Sequence, residues 1–136
     1  MPLKIDTAEE DLRMILKDYQ ETALRYIWRL GGEGASSRDV WVQVNEDLKG
    51  DRTISRASIS RASIINFLNQ MVDDGVLNYT EITGKGGHRR IYSMRYDEAG
   101  FKEYVARQVI GKLLSYFPEE TRKAIKESGW APGRAG

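Results

Sequence analysis

The sequence predicts a mainly α chain with one small β-hairpin, an α+β fold. Three observations carry this. Apolar residues recur at helical spacing in four stretches, each closed by glycine or proline. Residues 76–82 and 90–94 read as two strands around a glycine-rich loop, the pattern of an antiparallel pair. Phe101, Val105, Val109, Leu113 and Phe117 then recur every four residues, which places them on one face of a long helix.

Each element has its own signals. Thr7 and Glu10 make a T-x-x-E capping box, so a helix is expected from there, carrying Leu12, Ile15 and Leu16 and restarting near Asp18. From Tyr19 to Leu30 the stripe is Tyr19, Ala23, Ile27 and Leu30, widened by Leu24, Tyr26 and Trp28. Gly31-Gly32 stops it, and Gly34 is expected to keep the next loop flexible. Ser36 or Ser37 caps a second helix with Val40, Trp41, Val44 and Leu48 on its apolar side, ended by Gly50. Thr53-Ile54 is expected to form a very short strand.

A tandem repeat follows: Ser55-Arg56-Ala57-Ser58-Ile59, then Ser60-Arg61-Ala62-Ser63-Ile64. Either leading serine suits an N-cap. The stripe Ile64, Leu68, Met71, broadened by Ile65, Phe67 and Val72, favours Ser60. The expected helix runs from about Arg61 to Asp74, with Gly75 as its left-handed stop; a longer helix from Ser55 is the alternative. Residues 83–88 form the hairpin loop. The long helix breaks at Pro118, and a short one with Glu119 and Glu120 in its first turn runs to about Gly129.

Three helices followed by a hairpin are the parts of a winged helix-turn-helix. The expected organisation is residues 1–95 as a winged-helix DNA-binding domain with an N-terminal helical extension, 96–129 as a helical dimerisation segment, and 130–136 as a disordered tail.

Charge supports that reading. The 136 residues carry a formal net charge of only +1. Residues 52–95, however, hold seven Lys or Arg against three acids, and the rest of the chain is acidic on balance. Positive charge gathered on one segment is the electrostatic footprint of a nucleic-acid surface. On a helical wheel Ala62, Ser63, Asn66, Asn69, Gln70 and Asp73 point away from the third helix's apolar side. Small and amide side chains there allow close approach to base edges, and Asn and Gln can pair bidentately with adenine. Arg61, Ala62, Ser63, Asn66 and Gln70 are therefore the expected base-reading residues. Asp73 and Asp74 would repel phosphate, so the helix should enter a groove by its N-terminal half. Lys85, His88, Arg89 and Arg90 are expected to hold the DNA backbone from the hairpin. Four phosphates neutralised per subunit would give a dimer a log–log salt slope of roughly −7.

Other chemistries find little support. The chain has no cysteine, which excludes disulfides, cysteine-held zinc and thiol catalysis. No nucleophile–base pair, metal-ligand cluster or paired carboxylates stand out, so no enzyme, metal or cofactor is expected. Gly84-Lys85-Gly86-Gly87 lacks the spacing of a nucleotide-binding loop, and a strand follows it. No apolar run reaches membrane-spanning length and no secretory leader is readable, so the expected location is the cytoplasm.

Tyr26-Ile27-Trp28, Ser60-Arg61-Ala62-Ser63-Ile64 and the run Val72 to Leu77 resemble the penicillinase-repressor (BlaI/MecI) family over roughly residues 19–117. The same parts also suggest the broader multiple-antibiotic-resistance regulator type. The resemblance implies a winged-helix transcriptional repressor whose C-terminal helices form a homodimer. The chain departs from the family in its extra five-residue repeat, in residues 1–16, and in lacking the cysteines of copper-sensing relatives. The expected function is thus a sequence-specific DNA-binding regulator, a repressor that binds a palindromic operator as a homodimer through Phe101, Val105, Val109, Leu113 and Phe117. Its rival is a winged helix used for protein contact in a transcription or replication assembly.

Overall fold

The structure, a computed structural model, describes residues 3–50, 58–84 and 87–128. Its elements in chain order are a 3-10 turn (Asp11–Met14), α1 (Asp18–Leu30), β1 (Ala35–Ser36), α2 (Ser37–Gly50), α3 (Arg61–Asp73), β2 (Leu77–Gly84), β3 (Gly87–Met94), α4 (Glu98–Tyr116) and α5 (Pro118–Glu127). The chain is mainly α with a three-stranded antiparallel sheet in the order β1-β3-β2. Three helices and a wing are present in the order the sequence predicts. Two compact units divide inside α4, as Met1–Phe101 and Lys102–Gly136.

The first unit opens differently from expectation. Thr7 starts no helix. Asp6 closes a turn instead: its carboxylate accepts from the Ala8 N–H at 3.0 Å and its own N–H donates to the Met14 carbonyl at 2.7 Å. Asp11 sits at φ 55°, left-handed backbone that a right-handed helix cannot pass through. Only the Asp11–Met14 turn remains, and it buries Leu12, with Leu16 buried just beyond it. α1 then begins with the Lys17 N–H donating to the Gln20 side chain at 2.9 Å. It buries Ala23, Leu24 and Ile27 and ends at Gly31, φ 63°.

Ser36, not Ser37, caps α2. Its hydroxyl accepts from the Asp39 N–H at 3.2 Å, and the Asp39 carboxylate accepts from the Ser36 N–H at 3.4 Å, a reciprocal capping box. Ala35 and Ser36 also pair with Tyr92 and Ile91 as β1, a strand the sequence reading lacks. Gly34 is what permits it. A Cβ there would lie 2.6 Å from the Tyr92 carbonyl oxygen, at φ 74°, so the residue is a close backbone approach rather than a flexible joint. Thr53-Ile54 and the start of the first repeat lie outside the described residues.

α3 begins at Arg61, which settles the choice between Ser55 and Ser60. The Ser60 hydroxyl accepts from the Ser63 N–H at 3.1 Å. Just before it, Ile59 is buried and doubly clamped. Its carbonyl accepts from Trp41 Nε1 at 2.8 Å and Asn45 Nδ2 at 3.2 Å, while its N–H donates to Asn45 Oδ1 at 2.7 Å. α3 buries Ile64, Phe67, Leu68 and Met71. It ends in a Schellman motif, with the Val76 N–H on the Met71 carbonyl (2.8 Å), the Gly75 N–H on the Val72 carbonyl (3.0 Å), and Gly75 at φ 79°.

The hairpin is longer than expected. β2 and β3 pair continuously from Leu77↔Met94 to Gly84↔Gly87. Thr83, Gly84, Gly87 and His88, expected in the loop, are paired in the strands, and His88, Arg89 and Arg90 lie on β3. At the end of this unit Asp97 caps α4 through the Gly100 N–H at 2.8 Å. Arg25 bridges Glu21 at 2.9 Å and Glu98 at 2.5 Å. Its desolvation alone would lower its pKa; the two carboxylates outweigh that and hold it above the ordinary value.

In the second unit α5 starts with Pro118 at its first position. Thr121 is buried, and its hydroxyl donates to the Leu113 carbonyl at 3.2 Å. Among the described residues no helix is long and apolar enough to cross a membrane.

Candidate nucleic-acid interface

α3 presents the face the wheel predicts, but not every predicted residue is available on it. Arg61, Ala62 and Asn66 are exposed. Ser63 is half-buried and belongs to the cap, its hydroxyl 2.9 Å from that of Ser60. Gln70 turns to the helix's C-terminal end, donating to Asp74 at 3.1 Å. That contact takes up one of the amide's two N–H donors. The N-terminal half therefore supplies the open polar surface: a cation at Arg61, a bare backbone approach at Ala62 and an amide at Asn66.

The wing sorts its cations by strand alternation. Directly opposed residues share a face, so His88 with Thr83, Arg90 with Glu81, Tyr92 with Tyr79, and Met94 with Leu77 line one side. Leu77 and Tyr92 are buried, which marks this as the core side. Arg89 with Ile82 and Ile91 with Thr80 line the other. His88, Arg89 and Arg90 thus form no single cluster: Arg89 projects away from the side that carries His88 and Arg90. Lys85 lies outside the described residues. His88 and Arg89 are exposed, whereas Arg90 is half-buried.

Arg90 is engaged inside the protein. Its guanidinium stacks over the Tyr79 ring, 4.0 Å from the centroid, and donates to Asn69 Oδ1 at 3.2 Å. The same oxygen accepts from the Tyr92 hydroxyl at 2.5 Å. Burial pushes the Tyr92 phenol above its ordinary pKa of 10.0, against the opposing pull of the Arg90 charge. Asn69, expected among the outward residues, is in fact turned to the wing. Sequence alone does not pair a helix residue with a strand residue more than twenty positions on. The period-2 pattern does place Arg90 and Tyr92 on one face, and that was the available signal. Among the described residues no His, Asp or Glu group could hold a metal ion.

The predicted dimer stripe also divides. Phe101 is 2% exposed and its ring packs 5.8 Å from that of Trp28. A side chain with no surface left to bury cannot anchor an interface, so Phe101 is core. Val105 is buried and Val109 half-buried. Leu113 (39% exposed) and Phe117 (56%) remain open, and Ile110, Tyr116 and Ile125 join them. Ile110, Leu113, Phe117, Ala124 and Ile125 line a groove of about 470 Å³ between the second half of α4 and α5.

No family model matches the chain, and no curated protein matches it. The resemblance to penicillinase repressors therefore stands on the residues that suggested it. Among solved structures, the chain is similar to the Orc1 protein of Aeropyrum pernix, in a structure of that protein in complex with DNA, at 19% sequence identity and a TM-score of 0.52. The likeness covers 68% of this chain and 26% of that one, so it spans about a quarter of the neighbour's length. What the two share is the fold, a mainly helical winged helix with a small antiparallel sheet.

Proposed function

We propose that the protein is a sequence-specific DNA-binding transcriptional regulator. One observation carries the reading. A helix whose free end is exposed, small and amide-bearing lies beside an exposed, cation-bearing β-ribbon. That pairing suits a helix in the major groove with a wing on the phosphates. The similar Orc1 structure, a complex with DNA, supports it. Arg61 and Asn66 are the residues assigned to base edges. Lys85, His88 and Arg89 are assigned to the backbone. Arg90, already engaged by Tyr79 and Asn69, suits that role less well than Arg89. The repressor role and operator palindromy come from the resemblance to penicillinase repressors. The homodimer is assigned to the apolar face formed by Ile110, Leu113, Tyr116, Phe117 and Ile125, a set large enough to need a cover. The absence of catalytic activity belongs to the same proposal.

The test is titration onto the gene's own upstream DNA and onto random duplex at two salt concentrations. Asn66→Ala should cost about 1–3 kcal/mol on the cognate site alone. Arg89→Ala should weaken both duplexes by a similar factor and reduce the salt dependence. Binding that ignores both salt and sequence would sink the proposal. It would favour the second reading, a protein-contact module, which the internal engagement of Arg90 and the exposed apolar face of α4 and α5 both suit.

A further inference from the structure

The wing is a two-stranded ribbon beyond its short pairing with β1, and such ribbons are marginal alone. Something must fix its angle to α3 if cations on one and amides on the other are to meet a single duplex. Asn69 and Arg90 stand at that joint. Asn69 Oδ1 accepts from Tyr92 at 2.5 Å and from Arg90 at 3.2 Å. Two donors on one oxygen decide which way the amide is turned. Arg90 is meanwhile held by the Tyr79 ring at 4.0 Å, and a planar guanidinium stacked on an aromatic face loses freedom that a lysine would keep. Tyr79 and Tyr92 are cross-strand partners, so both rings and the guanidinium share the wing's inner face.

We infer that Asn69 and Arg90 are positioning residues that lock the wing to α3, and that Arg90 neutralises no phosphate of its own. Arg61, Asn66 and Arg89 then meet the duplex as parts of one rigid surface, and the ordering cost of a loose wing is not incurred on binding. The inference rests on the DNA-binding reading above. The lock itself belongs to the free protein and is measurable there.

The experiment is a salt series of duplex binding by the full chain, with Asn69→Leu, Asn69→Asp, Arg90→Met and Arg89→Met compared with wild type. Asn69→Leu and Arg90→Met should each weaken binding about fivefold, the scale of one lost hydrogen bond, and leave the log–log slope unchanged. Asn69→Asp keeps an accepting oxygen in place and should recover most of the loss. Arg89→Met should flatten the slope by about 0.9 per subunit. An equal flattening by Arg90→Met would make Arg90 a phosphate contact and overturn the inference. So would an Asn69→Asp protein as weak as Asn69→Leu. In the free protein, Tyr92→Phe should speed hydrogen exchange of the Arg90 guanidinium protons in NMR; unchanged exchange overturns the lock whatever the DNA result. A wild type that binds no duplex, yet keeps Tyr92-dependent protection at Arg90, would end the DNA reading and leave the lock standing.

Discussion

Gly34 and Asn69 show how much a single residue can decide here. At Gly34 the deciding term is steric. Its φ of 74° is left-handed, and a Cβ would meet the Tyr92 carbonyl oxygen at 2.6 Å. Neither problem relaxes alone, because Ala35 is already paired to Tyr92. Gly34→Ala should therefore destabilise the protein by about 1–3 kcal/mol, seen as a lower Tm in calorimetry. Gly32→Ala is the internal control. Nothing lies within 4 Å of a Cβ there, and no left-handed φ is needed. Gly32→Ala should be neutral or slightly stabilising, because its effect falls on the unfolded chain; an equal loss at the two positions would refute the contact with β3 as the reason for Gly34. At Asn69 the deciding term is polar. One oxygen serves two donors, so an exposed-looking helix position is really a joint. Both roles were hidden in the sequence for one reason: each depends on a partner in β3, more than twenty residues away.

At the scale of elements, α3 depends on how its start is held. Ser60 satisfies the N–H of Ser63, and Asn45 with Trp41 pins the backbone of Ile59 one residue earlier. Ser60→Ala should cost about 1 kcal/mol. Asn45→Ala should cost more, because it strips partners from both the N–H and the carbonyl of a buried residue. The check is urea denaturation of both variants, with circular dichroism reporting helix content; an Asn45→Ala midpoint no lower than that of Ser60→Ala would refute the ranking. This same start was legible from sequence, since the stripe Ile64, Leu68 and Met71 selected Ser60 over Ser55. The bounds of α1, α2 and α3 and the Gly75 stop were legible for the same reason: local periodicity and caps determine them. No helix follows Thr7 because a capping box is only a start signal, and the left-handed Asp11 overrides it. The wing's length was underestimated because glycines within a strand resemble glycines in a loop. β1 has two residues and no pattern of its own. Of the candidate site, Arg61, Ala62 and Asn66 were readable as one exposed face. The division of Arg89 from Arg90 follows from strand alternation, but the expected strand begins at Arg90 and leaves Arg89 off it.

For the whole molecule the question is what covers the outer end of α4. Tyr116 and Phe117 are 68% and 56% exposed. At ~150–250 Å² per aromatic side chain they expose roughly 190–310 Å², and Ile110, Leu113 and Ile125 add to it. A homodimer through this face would double the phosphates contacted, and that links oligomeric state to salt dependence. Leu113→Asp/Phe117→Asp places two charges on the face while leaving the buried Thr121–Leu113 backbone contact available. This variant should sediment as a monomer at micromolar concentration, and its log–log salt slope on duplex DNA should fall to about half that of wild type. Phe101→Ala should behave oppositely. Its ring lies in the core against Trp28, so the loss should be about 3–5 kcal/mol of folding stability, with no selective dissociation of folded subunits. The two variants separate interface from core along a helix whose apolar repeat looks uniform in the sequence. Should the aspartate pair leave both the mass and the slope unchanged, the exposed face serves another partner, and the cations of one wing must account for all the salt dependence observed.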